Sequence, residues 1–455
     1  MSAPRLPEGV LIAWYGDDFT GSATVMEVLS FAGLPAVLFF DVPTPERMAR
    51  FPAVRGIGIA GIARSRSPHW MRGHLPPVFS ALARLEAEIT QYKICSTFDS
   101  APEVGSIGQA IELAKPILGG EWIPLLTAAP ANHRYQAFGN LFASVGDTTY
   151  RIDRHPTMSR HPVTPMGEAD LGLHLAHQTD LPVGLVDLVA MKSGRADAAL
   201  DRLRAAGKQI VSLDVIDDGT LCEAGRLIWE HRGRRLFVAG SQGVEHALVA
   251  YWREQQLVPV VGAPKPGLAA EHIVVVSGSC SPVTAGQIDW AEAHGFLPIR
   301  IDSTKVVEDA AWERERERVA AAALRALSEG RDPVLYTARG PDDATIAAFR
   351  TAIDTAGISD TTANSRLGNG LGRILDQVLR QAGLRRAVIA GGDTSSHAAL
   401  ALGVFALTAL APIAPGAALC TAHADDARAL ELALKGGQMG GVDYFGRLKS
   451  GGEPD

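Results

Sequence analysis

VLIAWYGDDFTGSATVMEVLSF, residues 10–31, sets the reading of the whole chain. Val10 to Tyr15 is an apolar run of strand length. Gly16-Asp17-Asp18-Phe19-Thr20-Gly21 breaks it, and Ser22 to Phe31 then recurs at helical spacing with Val25, Val28 and Leu29 on one face. Strand, tight acidic turn and helix is the layout in which α/β proteins place ligands at the carboxyl end of a strand. Two adjacent carboxylates repel each other, and the positive end of the following helix offsets part of that cost. A single Asp at such a turn reads as a helix cap. Two Asp with a Thr and a flanking Gly read as a site.

The layout repeats downstream. Residues 36–42 and 54–62 are strand-like, and the second contains a GxGxxG match at Gly56, Gly58 and Gly61. These glycines lie inside the apolar run instead of after it, which argues against a dinucleotide fingerprint and leaves a dehydrogenase with no other support. A basic turn follows, with Arg64 and Arg66. Residues 78–88 read as helix. Residues 92–95 read as a short strand, ending in Ser96-Thr97-Phe98-Asp99-Ser100, and 122–126 as another, ending in the polar run 127–134. Residues 151–166, with three prolines, three arginines and two histidines, read as a surface loop able to cover a ligand. His174 and His177 share a face of the helix expected over 167–177, and their spacing favours packed or solvated histidines over a metal pair. A strand over 236–239 leads into Gly240-Ser241-Gln242-Gly243. Residues 254–271, with three prolines and no periodicity, mark a domain boundary.

Beyond that boundary three turns follow apolar strands. Ser277 to Pro282 offers hydroxyls and free N–H groups at a helix start, a phosphate seat. Gly391-Gly392-Asp393-Thr394 allows close backbone approach, and its Asp and Thr suit a metal-bound phosphate. Lys435 to Gly441 is a Gly-rich loop opened by Lys. Helices are expected over 311–327 and 370–382.

The bulk composition narrows the function. The 455 residues carry a formal charge of −7, which argues against a chain-wide nucleic-acid surface. No apolar run has transmembrane length, and the stretch MSAPRLPEGV lacks a signal-peptide core. The four cysteines form no CxxC pair and suit a reducing cytoplasm. Walker A, GxSxG and HExxH motifs are absent. The first half places Arg64, Arg66, Lys93, His133, Arg134, Arg160 and His161 in loops, with Asp17, Asp18 and Asp99. Arg binds carboxylates bidentately, and a carboxylate can take a hydroxyl proton, so this mixture fits a small polyhydroxylated acid. The Ser/Thr/Gly turns of the second half fit a nucleotide. Phosphoryl transfer between two such ligands needs positioning, a magnesium ion and charge neutralisation. The expected fold class is α/β: two α/β domains with mainly parallel sheets and an active-site cleft between them. Residues 1–255 would bind the sugar acid and 270–448 the nucleotide.

At these positions the sequence resembles the four-carbon acid sugar kinases over nearly its whole length. The signposts are GDDFTGSA (16–23), RSRSP (64–68), KICSTFDS (93–100), HPVTPM (161–166), AGSQG (239–243), SGSCSPVTAGQ (277–287), AGGDTSS (390–396) and IAPG (413–416). The resemblance implies an ATP-dependent kinase of the terminal hydroxyl of a four-carbon sugar acid. CSTFDS with HPVTPM looks most like the 3-oxo-tetronate kinase branch; threonate, erythronate and a non-catalytic sensor are the alternatives. It places ATP contacts on Ser279, on Gly391, Gly392, Asp393 and Thr394, and on Gly437. The magnesium ligands, the oligomeric state and the sugar stereochemistry stay open. Residues and resemblance agree on Asp17, Asp18, Arg64, Arg66, Lys93, Ser96 and Asp99 for the substrate, and Asp18 is the preferred base because the turn should aim one of its two carboxylates at the cleft. The chain departs from the family pattern twice: Asp393 replaces Glu, and KGGQMG replaces KSGNFG.

Overall fold

Apolar runs become strands whose ends are set by the first polar or glycine residue that follows. The computed structural model describes residues 5–161, 163–259, 262, 264–426 and 428–452, without the side chains of residues 393–395. The chain divides into two compact units, Met1–Gly262 and Ala263–Asp455.

The first unit contains β1 (Ile12–Gly16), β2 (Ala36–Phe39), β3 (Gly56–Ala60), β4 (Ile89–Lys93), β5 (Ile123–Leu126), β6 (Arg134–Ala137), β7 (Asn140–Val145), β8 (Thr148–Arg151), β9 (Val183–Val186), β10 (Ile210–Leu213) and β11 (Leu236–Gly240). Its main sheet is wholly parallel, in the order β2-β3-β1-β4-β11-β5-β10-β9. Strands β6, β7 and β8 form a small antiparallel sheet. Strands β1, β3, β4 and β11 are buried at every position, as in parallel sheets covered on both faces. The register pairs Gly16 with both Ala60 and Lys93, and Gly240 with both Lys93 and Leu126. The carboxyl ends of β3, β1, β4, β11 and β5 are therefore level, and the turns that follow them share one edge.

The GxGxxG glycines serve packing. Gly58 pairs with Trp14 across the β1–β3 ladder, and a Cβ there would lie 2.1 Å from the indole. A Cβ at Gly61 would lie 2.0 Å from the Tyr15 ring. A short 3-10 turn, Ala63–Ser65, follows in place of an α-helix.

Some element boundaries differ from expectation. The helix after β1 is Phe19–Phe31, starting three residues early because Asp18 caps it. The expected helix over 78–88 is Pro68–Ala83, capped by Ser67 and carrying Pro76 and Pro77 internally. Strand β4 begins at Ile89, so Lys93 closes it. The surface loop expected over 151–166 is anchored at several points. It holds two 3-10 turns, Ile152–Arg154 and Met158–Arg160, and buries Ile152, Met158 and Met166 in the core.

The second unit contains β12 (Val274–Ser277), β13 (Phe296–Arg300), β14 (Asp332–Tyr336), β15 (Arg386–Ala390), β16 (Val404–Ala411), β17 (Leu419–Ala424) and β18 (Leu430–Lys435). Strands β13-β14-β12-β15-β18 are parallel in that order, and β17 and β16 continue antiparallel. Its core joins Val275, Ile288, Val388, Leu419 and Phe445. Ser277 pairs with Tyr336 and Ala390, and Ala390 with Lys435, so these strands also end level. Ser281 caps the helix Pro282–Ala293, with Pro282 at its first position. The helix expected over 370–382 extends from Asp360 to Ala382. No helix among the described residues is long and apolar enough to cross a membrane.

Replacing Gly58 by Ala forces a methyl into the Trp14 indole. We expect a loss of about 1–3 kcal/mol in urea unfolding, the usual scale for overpacking. Unchanged stability would show that the strand relaxes around the methyl.

Candidate functional site

The first turn cluster is built on the level edge of β1, β3 and β4. The main-chain N–H of Asp17 donates to the Lys93 carbonyl at 3.0 Å, and that of Arg64 to the Asp17 carbonyl at 3.0 Å. Arg64 then turns back on the acidic pair. Its Nε and Nη2 donate to the two oxygens of Asp17 at 3.2 and 2.7 Å, and Nη2 also reaches Asp18 Oδ1 at 2.8 Å. One guanidinium thus relieves the repulsion between adjacent carboxylates, in the fork geometry that suits Arg.

The two carboxylates have different surroundings. The Asp17 side chain is 3% exposed and that of Asp18 is 19% exposed. Burial pushes Asp17 up, Arg64 pulls it down and Asp18 pushes it up again, leaving it above the ordinary value. Asp18 caps the helix by accepting from the Gly21 N–H at 3.0 Å, and it also accepts from the Thr20 hydroxyl at 2.7 Å. The capping reading of this turn therefore holds for Asp18, whose carboxylate also stays partly exposed at the sheet edge.

Lys93 is 1% exposed and donates to the Ile94 carbonyl at 2.7 Å. A Cβ on Gly21 would lie 2.8 Å from its Nζ, so the glycine makes room for the ammonium below the acidic turn. In the loop after β4, Thr97 donates to Asp99 at 2.6 Å. Burial raises Asp99, but the charge of Arg64 and hydrogen bonds from Thr97 and Cys95 outweigh it and hold the carboxyl below its usual range. Ser96 is half-buried in the same loop. Arg66 is half-buried, with its guanidinium 5.8 Å from the centre of the Trp70 ring. His174 Nε2 lies 3.1 Å from the Ser100 hydroxyl, which ties it to this loop, and no cluster of three metal-ligating side chains occurs among the described residues.

Two side chains here were not singled out from the sequence. Gln91 and Glu245 are 0% exposed near Lys93, and burial pushes Glu245 up to about 8. Both sit in runs that read as apolar strand and helix, so only a buried polar residue on β4 hinted at them. Arg134, expected in a loop, instead opens β6 and spends Nη1 on the carbonyls of Asn132 and His133 at 3.0 and 3.2 Å. No carboxylate among the described residues pairs with it, and it acts electrostatically on Cys95 in the loop after β4.

The second cluster occupies the level edge of β12, β15 and β18. Gly278 N–H donates to the Ala390 carbonyl and Gly391 N–H to the Lys435 carbonyl, at 3.0 and 2.9 Å. Ser279 and Gly437 meet: a Cβ on Gly437 would lie 2.7 Å from Ser279 Oγ. Gly391 has φ of 127°, a left-handed value that favours glycine, and Gly392 begins the helix Gly392–Ala401. The side chains of Asp393 and Thr394 lie outside the described residues. Lys435 is 0% exposed, and its Nζ donates to Thr284 Oγ1, the Gly436 carbonyl and the Gly437 carbonyl at 3.1, 3.0 and 3.3 Å. Burial pushes its ammonium down to about 7.

Comparison with known proteins follows this division. Residues 12–248 match the model of a sugar-binding N-terminal domain, and residues 274–445 that of a nucleotide-binding C-terminal domain. The chain is 46% identical over 456 aligned residues to a 3-oxo-isoapionate kinase of Paraburkholderia graminis, covering 99% of this chain and 96% of the relative. It is 33% identical to a 3-oxo-tetronate kinase of Methylobacterium radiotolerans, covering 95% and 96%. A crystal structure of a Haemophilus influenzae protein superposes with a TM-score of 0.69 at 25% identity, covering 95% of this chain and 98% of that one.

The Lys435 environment predicts a pH signature. An unfolded Lys titrates at about 10.4, well above the folded value, so between about 7 and 10 the unfolded chain holds the extra proton and stability rises with pH. Relative to Lys435→Met, the wild type should gain unfolding free energy from pH 7 to pH 9 in denaturant titrations. A pH-independent difference would place the ammonium in water.

Proposed function

We infer the function from one premise: the chain belongs to the four-carbon acid sugar kinase family, a sugar-binding N-terminal domain followed by a nucleotide-binding C-terminal domain. It is a phosphotransferase that uses ATP and an alcohol acceptor. The acceptor we propose is the terminal hydroxyl of a 3-oxo acid sugar. The motifs favour 3-oxo-tetronate, and the 46% identity to a 3-oxo-isoapionate kinase supports 3-oxo-isoapionate as a second candidate.

In the proposed step the hydroxyl oxygen attacks the γ-phosphorus. The new O–P bond forms as the bond to ADP breaks, and the hydroxyl proton passes to Asp18. The observation that carries this assignment is the asymmetry of the acidic pair. Asp17 is enclosed with Arg64, whereas Asp18 keeps 19% of its side chain exposed. Arg64 fixes both carboxylates. Lys93, Ser96, Asp99 and Arg66 line the remainder of the same edge and are proposed to orient the acid. Ser279, Gly391 to Thr394 and Gly437 are proposed to hold the nucleotide. Magnesium is proposed as part of the nucleotide substrate, carried on its phosphate oxygens, and the cytoplasm as the site of action.

ADP release measured with 3-oxo-tetronate, 3-oxo-isoapionate, threonate and erythronate should identify a 3-oxo acid as the preferred acceptor. Binding of all four without turnover would favour a sensor. Asp18→Asn should lower kcat by about 100-fold or more while the melting temperature stays put, because Asn caps a helix as well as Asp does. Near-normal turnover would remove Asp18 from the role of base.

A further inference from the structure

Among the described residues, the loop after β18 has most of its carbonyls engaged, that of Gly436 also accepting from the Met439 N–H at 3.1 Å, whereas its first N–H groups are not. The Gly436 and Gly437 carbonyls accept from Lys435 Nζ. The carbonyls of Met439, Gly440 and Gly441 accept from Gln287 Nε2 at 3.0, 3.2 and 2.9 Å. Thr284 Oγ1 donates to the Gly437 carbonyl at 2.9 Å. The main-chain N–H groups of Gly436, Gly437 and Gln438 make no hydrogen bond among the described residues. Successive unpaired N–H groups beside a positive charge form an anion cradle.

Among the described residues no carboxylate balances the charge at this cradle. Lys435 Nζ is buried and bonded to one hydroxyl and two carbonyls, and no carboxylate among the described residues forms an ion pair with it. Tyr444 adds only its ring, 5.9 Å from Nζ. A buried ammonium without a counter-ion costs stability, so a chain keeps one where a ligand completes the pair. Lys435 also joins the three turns of the edge. Its carbonyl holds the Gly391 N–H, its side chain reaches Thr284 on the helix Pro282–Ala293, and its ammonium holds the loop.

We propose that Lys435 is the residue that seats the phosphate chain of the nucleotide, turning the loop carbonyls inward and presenting its N–H groups, with its own charge, to the phosphate oxygens. The proposal rests on the reading of the second unit as the nucleotide half. It adds a positioning residue to Ser279 and Gly437, which meet at the same loop.

The test is isothermal titration of wild type and Lys435→Met with ATP, tripolyphosphate and adenosine, together with thermal melting. Met nearly matches Lys in volume and removes the charge. Tripolyphosphate and ATP should bind about tenfold or more weaker in the variant, the scale of a charged hydrogen bond, with adenosine unchanged and the melting temperature equal or higher. In turnover the KM for ATP should rise more than that for the acid. Unchanged tripolyphosphate affinity in a folded variant overturns the proposal. So does an equal loss for all three probes, which marks a structural role. If Lys435→Met does not fold, Lys435→Gln keeps a donor without the charge and should show the same selective loss. Failure of both to fold overturns the proposal, because a charge kept for a ligand is dispensable to the fold. Wild-type protein that binds neither ATP nor tripolyphosphate overturns the nucleotide reading itself. Wild-type binding with no change in the variant removes only Lys435.

Discussion

Parallel pairing is the constraint from which the chemistry of both units descends. In the first unit Gly16, Ala60, Lys93, Gly240 and Leu126 fall at one level, and in the second Ser277, Tyr336, Ala390 and Lys435 do the same. Residues far apart in sequence then emerge as neighbours because the strand ladders bring them level. Asp17 meets Arg64 because β1 and β3 stop together, and Ser279 meets Gly437 because β12, β15 and β18 stop together. Ligands bind outside the carboxyl ends of parallel strands for this reason.

The same edge collects charges that a core would otherwise refuse. The first unit manages an excess of carboxylate with one forked cation, and leaves Asp18 the more open of the pair. The second unit encloses an ammonium among carbonyls and a hydroxyl. One edge is rich in acid and matched arginine, suited to hydroxyls. The other is rich in N–H groups left free among the described residues around one enclosed lysine, the pattern proposed to take phosphate. The two stations of a phosphoryl transfer differ in the same sense.

Much of this was legible in the sequence because turns announce themselves. Gly-Asp-Asp after an apolar run, Ser-Pro before a helix and paired glycines after a strand each carry local steric meaning, and each fell where the chain turns. Lys93, Gln91 and Glu245 were harder. A buried polar side chain inside a strand or helix breaks the periodic pattern at only one position, and nothing local tells a solvated charge from an enclosed one. The role of Lys435 was half visible: its place before a Gly-rich loop could be read, but its enclosure depends on Thr284, 151 residues away. The hairpin sheet β6–β8 was missed because short polar strands read as loop. The stretch 151–166 reads as a surface loop because prolines and basic residues mask the few side chains, Ile152, Met158 and Met166, that anchor it.

The contact between Gly58 and Trp14 carries an evolutionary corollary. The indole occupies the space that a side chain at position 58 would need, so the absence of that side chain is a property of the pair. A lineage that trades Trp14 for a smaller residue frees its partner to acquire a methyl, and the two codons would drift together. A glycine signature that imitates a cofactor motif is here the imprint of an aromatic ring on the neighbouring strand.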